Sequence, residues 1–399
     1  MSVKVTPASH KPALVAHVNA SYGPSLEAAL ERAVAPFGGW SAIVKPGERI
    51  AVKVNLLRGA APEKVVTTNP QTLRAVLRAL RATGAEPFVA DSPGGPGTRA
   101  LVMRAYKQSG ILAVCEEEGV EAVHADAESI ELSAPAGKLF RSFTVCKCFA
   151  EADGIVQVGP LKTHGLMRLT GGVKLTFGCI PGLLKAQMHV KAKQRRDFAT
   201  MLVDLHEAIA PRFTIIDAIV AMEGKGPGNG TPRPMGSLFA ARNAHALDAA
   251  LADRTAHQYR HIYTLVAAAE RGLIDLDKPY ELAGNPFTPD TGFVPSTQDF
   301  DSTADGLTSS LPGFAHRLVR DLVTAKPRLV NEAACTRCGN CAEICGAHAI
   351  TLAPTPVYDY EACVRCYACT EICPTAAISE VAPLPARLLH LLRARSARA

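Results

Sequence analysis

Two cysteine runs near the carboxyl end constrain this chain more than any other feature. Residues 335–345 read CTRCGNCAEIC and residues 363–374 read CVRCYACTEICP; both are CxxCxxCxxxC, and the second closes with a proline. The offset is constant. Cys335, Cys338, Cys341 and Cys345 recur 28 residues later as Cys363, Cys366, Cys369 and Cys373, and Ile350 recurs as Ile378. Three closely spaced thiolates wrap one face of an iron–sulfur cube, and in this motif the fourth ligand is the last cysteine of the other run. The reading is two [4Fe-4S] clusters, one held by Cys335, Cys338, Cys341 and Cys373, the other by Cys363, Cys366, Cys369 and Cys345. CxxC pairs also bind zinc, but eight cysteines grouped three to a run do not divide into ordinary zinc ribbons. Gly346 stands where the first run would have its proline.

The other four cysteines, Cys115, Cys146, Cys148 and Cys179, are scattered through the first 330 residues. A disulfide framework would staple the chain throughout, so the dense segment marks a separate module. With 399 residues, 48% of them hydrophobic, the rest of the chain can bury its own core. Nowhere do 18 uncharged apolar residues run together, and the amino terminus has no apolar run ending at a small-residue cleavage site. The expectation is a soluble cytoplasmic protein. Lys and Arg are dispersed, so the formal net charge of +6 gives no argument for nucleic acid, and two clusters at about −2 each bring it to about +2.

Before the module, short β-branched runs alternate with helical stretches. Strands are expected over 13–18, 49–56, 87–91, 154–159 and 213–220, and helices from Ser25 and from Pro70, the latter capped by Asn69 and stopped by Gly84. This alternation predicts an α/β fold, an open, mostly parallel sheet domain over residues 1–285. Residues 286–330 are the expected linker, rich in Pro, Ser, Thr, Asp and Gly to 313 and closing on a helix at 314–325. A ferredoxin-like α+β iron–sulfur module follows at 331–382, then a basic amphipathic tail at 383–399. In that tail Leu388, Leu389, Leu391 and Leu392 share a helical face flanked by Arg387 and Arg393, which suits a membrane surface or, more commonly, the protein's own.

Ligands of such sheets sit beyond the carboxyl ends of the strands. Three glycine-rich segments follow expected strands there: DSPGGPG from Asp91, AMEGKGPGNG at 221–230, and LKTHGLMRLTGGVKLTFGCIPG at 161–182, which reads as too irregular for a helix or strand. None fits a nucleotide fingerprint. Glycine lets backbone approach a ligand and offer N–H groups to an anion, and Lys162, Lys174, Lys185 and Lys225 accompany it. The candidate site comprises Lys53, Asn55, Asp91, Lys162, Gly171, Gly172, Lys185, Asp217 and Glu223 for binding an anionic small molecule, with His164, His189 and Lys174 as catalytic candidates. Structural readings stand beside these: histidines hydrogen-bonded in the fold, aspartates capping turns, Cys179 a small buried hydrophobe.

AVKVN at 51–55, TTNP at 67–70, ADSPGG at 90–95, KTH and TGGVK between 162 and 174, GCIPG followed by Lys185 and His189, and IDAIVAMEGKGP at 216–227 resemble domain-of-unknown-function family 362 over about residues 45–250. Sequences of that family commonly read GGVKN; here Leu175 stands at the asparagine. Residues 331–382 resemble two-cluster bacterial ferredoxins, a module some members of the family carry. The order His164, GGVK ending at Lys174, PG and His189 is similar to the lactate racemase catalytic domain, where a lysine after two glycines carries a nickel-pincer nucleotide. That resemblance implies Lys174 as attachment point, His164 and His189 facing the metal, and an additional nucleotide or nickel-type cofactor. The racemase's acid–base histidine motif has no counterpart at Asp91–Gly97.

Two functions of different class follow. In one, the chain is an iron–sulfur oxidoreductase relaying single electrons between a redox partner protein and the anionic ligand, with His164 or His189 delivering a proton. In the other, it is a non-catalytic electron-transfer adaptor whose α/β part docks a partner. A dense lysine and histidine constellation at a strand edge favours the enzyme.

Overall fold

The computed structural model describes residues 12–296, 319, 322 and 324–385. Most of the expected connecting helix and the apolar face of the tail lie outside the described residues. Among the described residues ten strands precede the module: β1 (Ala13–Asn19), β2 (Arg49–Lys53), β3 (Glu86–Ala90), β4 (Ser129–Ser133), β5 (Ser142–Cys146), β6 (Gly154–His164), β7 (Arg168–Thr170), β8 (Phe213–Glu223), β9 (Thr231–Ala241) and β10 (Tyr280–Gly284). They build one large sheet in the order β10-β1-β9-β8-β6-β2-β3, with β7 folded back on the end of β6, while β4 and β5 form a separate hairpin. Along the path only the pairings of β9 are antiparallel. The fold is therefore α/β with a mostly parallel sheet. Both faces are covered: in β8, Ile216 and Ala218 join one apolar cluster and Ile215 and Ile219 the other, the period of two that a strand dictates.

All five expected strands form, but β6 runs 11 residues, through Lys162 to His164. The segment that reads as irregular is thus in part a strand. Its pairing with β8 shifts between Pro160 and Lys162. Proline cannot donate to the ladder and sits at such bulges, so the period that would reveal the continuation is broken there. Asn69 caps the helix Pro70–Ala82 by accepting from the amide of Gln71, and Gly84 follows at φ +83°. The first part of the expected linker packs on the sheet domain: Asp290 pairs with Arg233 at 2.8 Å and Phe293 is buried.

In the module, Lys326–Leu329 pairs with Ile378–Val381 and Ile350–Leu352 with Pro356–Tyr358, around the short helices Asn340–Glu343 and Ala368–Ile372. The duplication is written into the backbone. Arg337, Gly339 and His348 have positive φ, and so do their repeat mates Arg365, Tyr367 and Ala376. A left-handed residue other than glycine costs about 1–2 kcal/mol, so its recurrence marks a path that both halves must follow. No helix among the described residues is long and apolar enough to cross a membrane.

Candidate functional site

Strands β2 and β3 end side by side, which brings Lys53, the last residue of β2, to Asp91, the first past β3. Nζ and Oδ1 lie 2.8 Å apart, both side chains buried, and Asp91 also accepts from the amides of Leu56 and Ser92. Gly178 covers the pair, and a Cβ there would overlap both partners. On the helix Gly182–Lys191, Lys185 and His189 are four residues apart and share a face. Lys185 Nζ donates to the carbonyl and hydroxyl oxygens of Ser92 at 2.5 and 3.0 Å. His189 stacks on Phe198 at 4.2 Å, with Phe177 edge-on. Lys174, on the short helix Gly172–Leu175, holds its ammonium 5.8 Å from the centre of the Phe177 ring. Among the described residues neither the Lys174 ammonium nor the His189 ring makes a hydrogen bond; each meets an aromatic ring instead.

Lys53, Asp91, Ser92, Lys174, Lys185 and His189 wall a cavity of about 100 Å³, together with Asn55 and Phe177. The iron–sulfur module closes it, contributing Ile344, Ala368, Glu371 and Ile372. Glu371 reaches furthest: its Oε1 is 3.3 Å from Nε2 of His164. His164 Nδ1 accepts from the amides of Leu166 and Met167, so the ring's proton belongs on Nε2, facing Glu371. Lys162 lies alongside, donating to Asn55 and to the carbonyl of Val66. The loop after β8 contacts the module. Asn229 donates to the carbonyl of Thr370 at 3.0 Å, and a Cβ on Gly228 would come within 2.6 Å of the carbonyl oxygen of Glu371.

Burial governs the charges. It pushes Lys162 down to about 7, helped by the like charge of Lys174, and lowers Lys174 and Lys185 as well. Glu371 is raised by the same desolvation. Burial also takes His164 well below its usual value and His189 to about 3. Both imidazoles are therefore neutral at pH 7, contrary to the expectation of a histidine poised to deliver a proton. The groups that burial moves toward neutrality here are Lys162, Lys174 and the carboxyl of Glu371.

Several expected contacts are absent from the cavity. Gly171 and Gly172 approach Asp248, not a ligand: Asp248 accepts from the amides of Gly172 (2.6 Å) and Val173 (3.3 Å), and a Cβ on Gly171 would overlap its carboxylate. Asp217 is buried elsewhere, accepting from Thr72, Tyr22 and the amide of Ile219. Glu223 pairs with Arg233 and the amide of Val294, and Lys225 is exposed. Glu371, Ile344 and Ile372 were invisible to a reading of the cysteine runs for their cysteines alone. Asp248→Ala strands two buried amides and should cost about 2 kcal/mol or more, read as a lower denaturant midpoint.

The eight cysteines of the module gather around two further cavities. Cys335, Cys338, Cys341 and Cys373 wall one; Cys345, Cys363, Cys366 and Cys369 wall the other. Polar groups face the sulfurs. The amide of Ala349 is 3.2 Å from Cys345 Sγ, and the hydroxyl of Thr375 is 3.7 Å from Cys373 Sγ. Four thiols around one hollow with polar groups at sulfur suit a thiolate-held cluster.

Residues 356–379 match the 4Fe-4S binding domain, and residues 50–253 match the domain of unknown function DUF362. The thylakoid-associated protein sll1697 of Synechocystis sp. is 34% identical over 250 residues, 62% of this chain and 76% of that protein. Among solved structures, the lactate racemase apoprotein of Thermoanaerobacterium thermosaccharolyticum is similar at a TM-score of 0.38 and 15% identity, over 58% of this chain and 54% of that one. The chain belongs to the DUF362 family and carries a ferredoxin-type 4Fe-4S binding region at its carboxyl end.

Proposed function

We propose that the chain is an iron–sulfur oxidoreductase acting on a small anion held between the sheet edge and the module. The observation that carries this is the shared wall: residues next in sequence to cluster cysteines, Ile344, Ala368 and Ile372, line the same cavity as Lys174, Lys185 and His189. Two [4Fe-4S] clusters, in the two sets of four cysteines, would supply single-electron transfer. Lys174, unpartnered, meets the ligand's charge; Lys185 and Lys53 reinforce it; Ile344 and Ile372 exclude water. Lys174 holds the accompanying proton at Nζ. A redox partner protein supplies or removes the electrons. At about 100 Å³ the cavity suits a group of a few heavy atoms, smaller than a nucleotide, so the reading needs no nickel-pincer cofactor.

Calorimetric titration of the cluster-loaded protein with formate, nitrite and bicarbonate tests this. At least one should bind, and Lys174→Ala should weaken it tenfold or more, about 1.4 kcal/mol. Lys174→Arg, which keeps the charge, retains part of the affinity. An anion binds the protonated Lys174, so affinity falls as pH rises through about 8, where Lys174 loses its proton. No binding by any of the three, with Lys174→Ala indistinguishable from the parent, would favour the adaptor.

A further inference from the structure

We propose that docking orders the two cysteine sets. Cys345, Cys363, Cys366 and Cys369 hold the inner cluster, which exchanges electrons with the pocket. Cys335, Cys338, Cys341 and Cys373 hold the outer one, which meets a one-electron carrier protein. This rests on the two-cluster reading above and names the route within it. Ala186 and Ala368 wall both the pocket and the cavity of the inner set, and Val190 adjoins them there. The helix Gly182–Lys191 thus presents Lys185 and His189 to the ligand while bordering the inner cysteines.

The outer cavity is built differently. All its walls come from the module, and none of them lines the pocket. Cys338 is exposed, though Cys341 and Cys373 of the same set are buried; the inner set has Cys369 buried and no exposed cysteine. Leu352, another wall of the outer cavity, is 45% exposed, and Val357 on the strand paired with it is 52% exposed. A small apolar rim around an accessible ligand suits the brief contacts of electron-transfer encounters. In each passage the carrier loses one electron and the pocket ligand gains it, or the reverse, and no bond is made within the chain.

Two double variants isolate the sets: Cys335→Ala with Cys338→Ala leaves the inner one, and Cys363→Ala with Cys366→Ala the outer. Iron analysis of each should give about four per chain against about eight in the parent. A parent with about four overturns the two-cluster reading itself, and that count alone recognises it. In these backgrounds Lys174→Gln, which removes a positive charge from the pocket, should lower the midpoint potential of the inner cluster and leave the outer unmoved. Arg337→Gln, from the wall of the outer cavity, should do the reverse. In the full chain a dissolved dysprosium chelate should speed electron-spin relaxation of the outer signal more than the inner, with Arg337→Gln marking which signal is outer. That measurement decides the order even if a double variant fails to fold. A Lys174→Gln shift confined to the outer cluster, or stronger relaxation of the inner, overturns it.

Discussion

Replacing Cys373 by alanine should remove about four of about eight irons from anaerobically prepared protein, and the cluster lost should be the one at Cys335, Cys338 and Cys341. The reasoning is geometric. Cys373 follows Cys363, Cys366 and Cys369 in sequence, yet its thiol walls the cavity of the first run, while Cys345 of the first run walls the cavity of the second. Three thiolates cannot saturate a cube, so the outer cluster fails when its fourth ligand goes. Cys345→Ala should give the mirror result. Each reduced variant then shows one spectroscopic signal, and the two variants keep different ones. Retention by Cys373→Ala of the signal kept by the Cys363→Ala, Cys366→Ala pair would show the crossing to be wrong. Stoichiometric zinc without broad visible absorption would sink the cluster reading altogether.

Much of this molecule is legible in its residues, and what is not has a physical cause. The strands and the cap at Asn69 depend on short-range pattern, and the pattern is present. The continuation of β6 is hidden because Pro160 breaks its period. The glycines at 171 and 172 are a subtler case. They do permit a close approach, but sequence cannot say to what, and the neighbour is Asp248 of the same chain. Glu371 is the most instructive. Its repeat mate Glu343 occupies the same place in the first run and is exposed, while Glu371 is inserted beside His164. The duplication makes the two equivalent, and only docking against the sheet domain tells them apart. Ile344 and Ile372, also repeat mates, both line the pocket.

Gly346 takes its meaning from the same docking. Its repeat mate is Pro374, and the departure from proline in the first run reads as a loop detail until the module is seen against the helix Gly182–Lys191. A Cβ on Gly346 would stand 2.5 Å from the carbonyl oxygen of Ala186 and 2.6 Å from its carbon. Those atoms are backbone in the middle of a helix and cannot turn aside. Gly346→Val should therefore push the module from the sheet edge, at about the 1–3 kcal/mol typical of overpacking or more. Because Ile344, Glu371 and Ile372 move with it, the pocket opens. Affinity for the small anion should fall about tenfold or further, at about 1.4 kcal/mol per tenfold, and amides of the helix Gly182–Lys191 should exchange faster with deuterium. Iron content should stay at about eight per chain, since Gly346 ligates nothing. Glu343→Gln, the exposed counterpart, should leave all three measurements unchanged. If Gly346→Val binds the anion as the parent does, with exchange in that helix unaltered, the module is not the wall of the site and the proposed redox pocket fails with it.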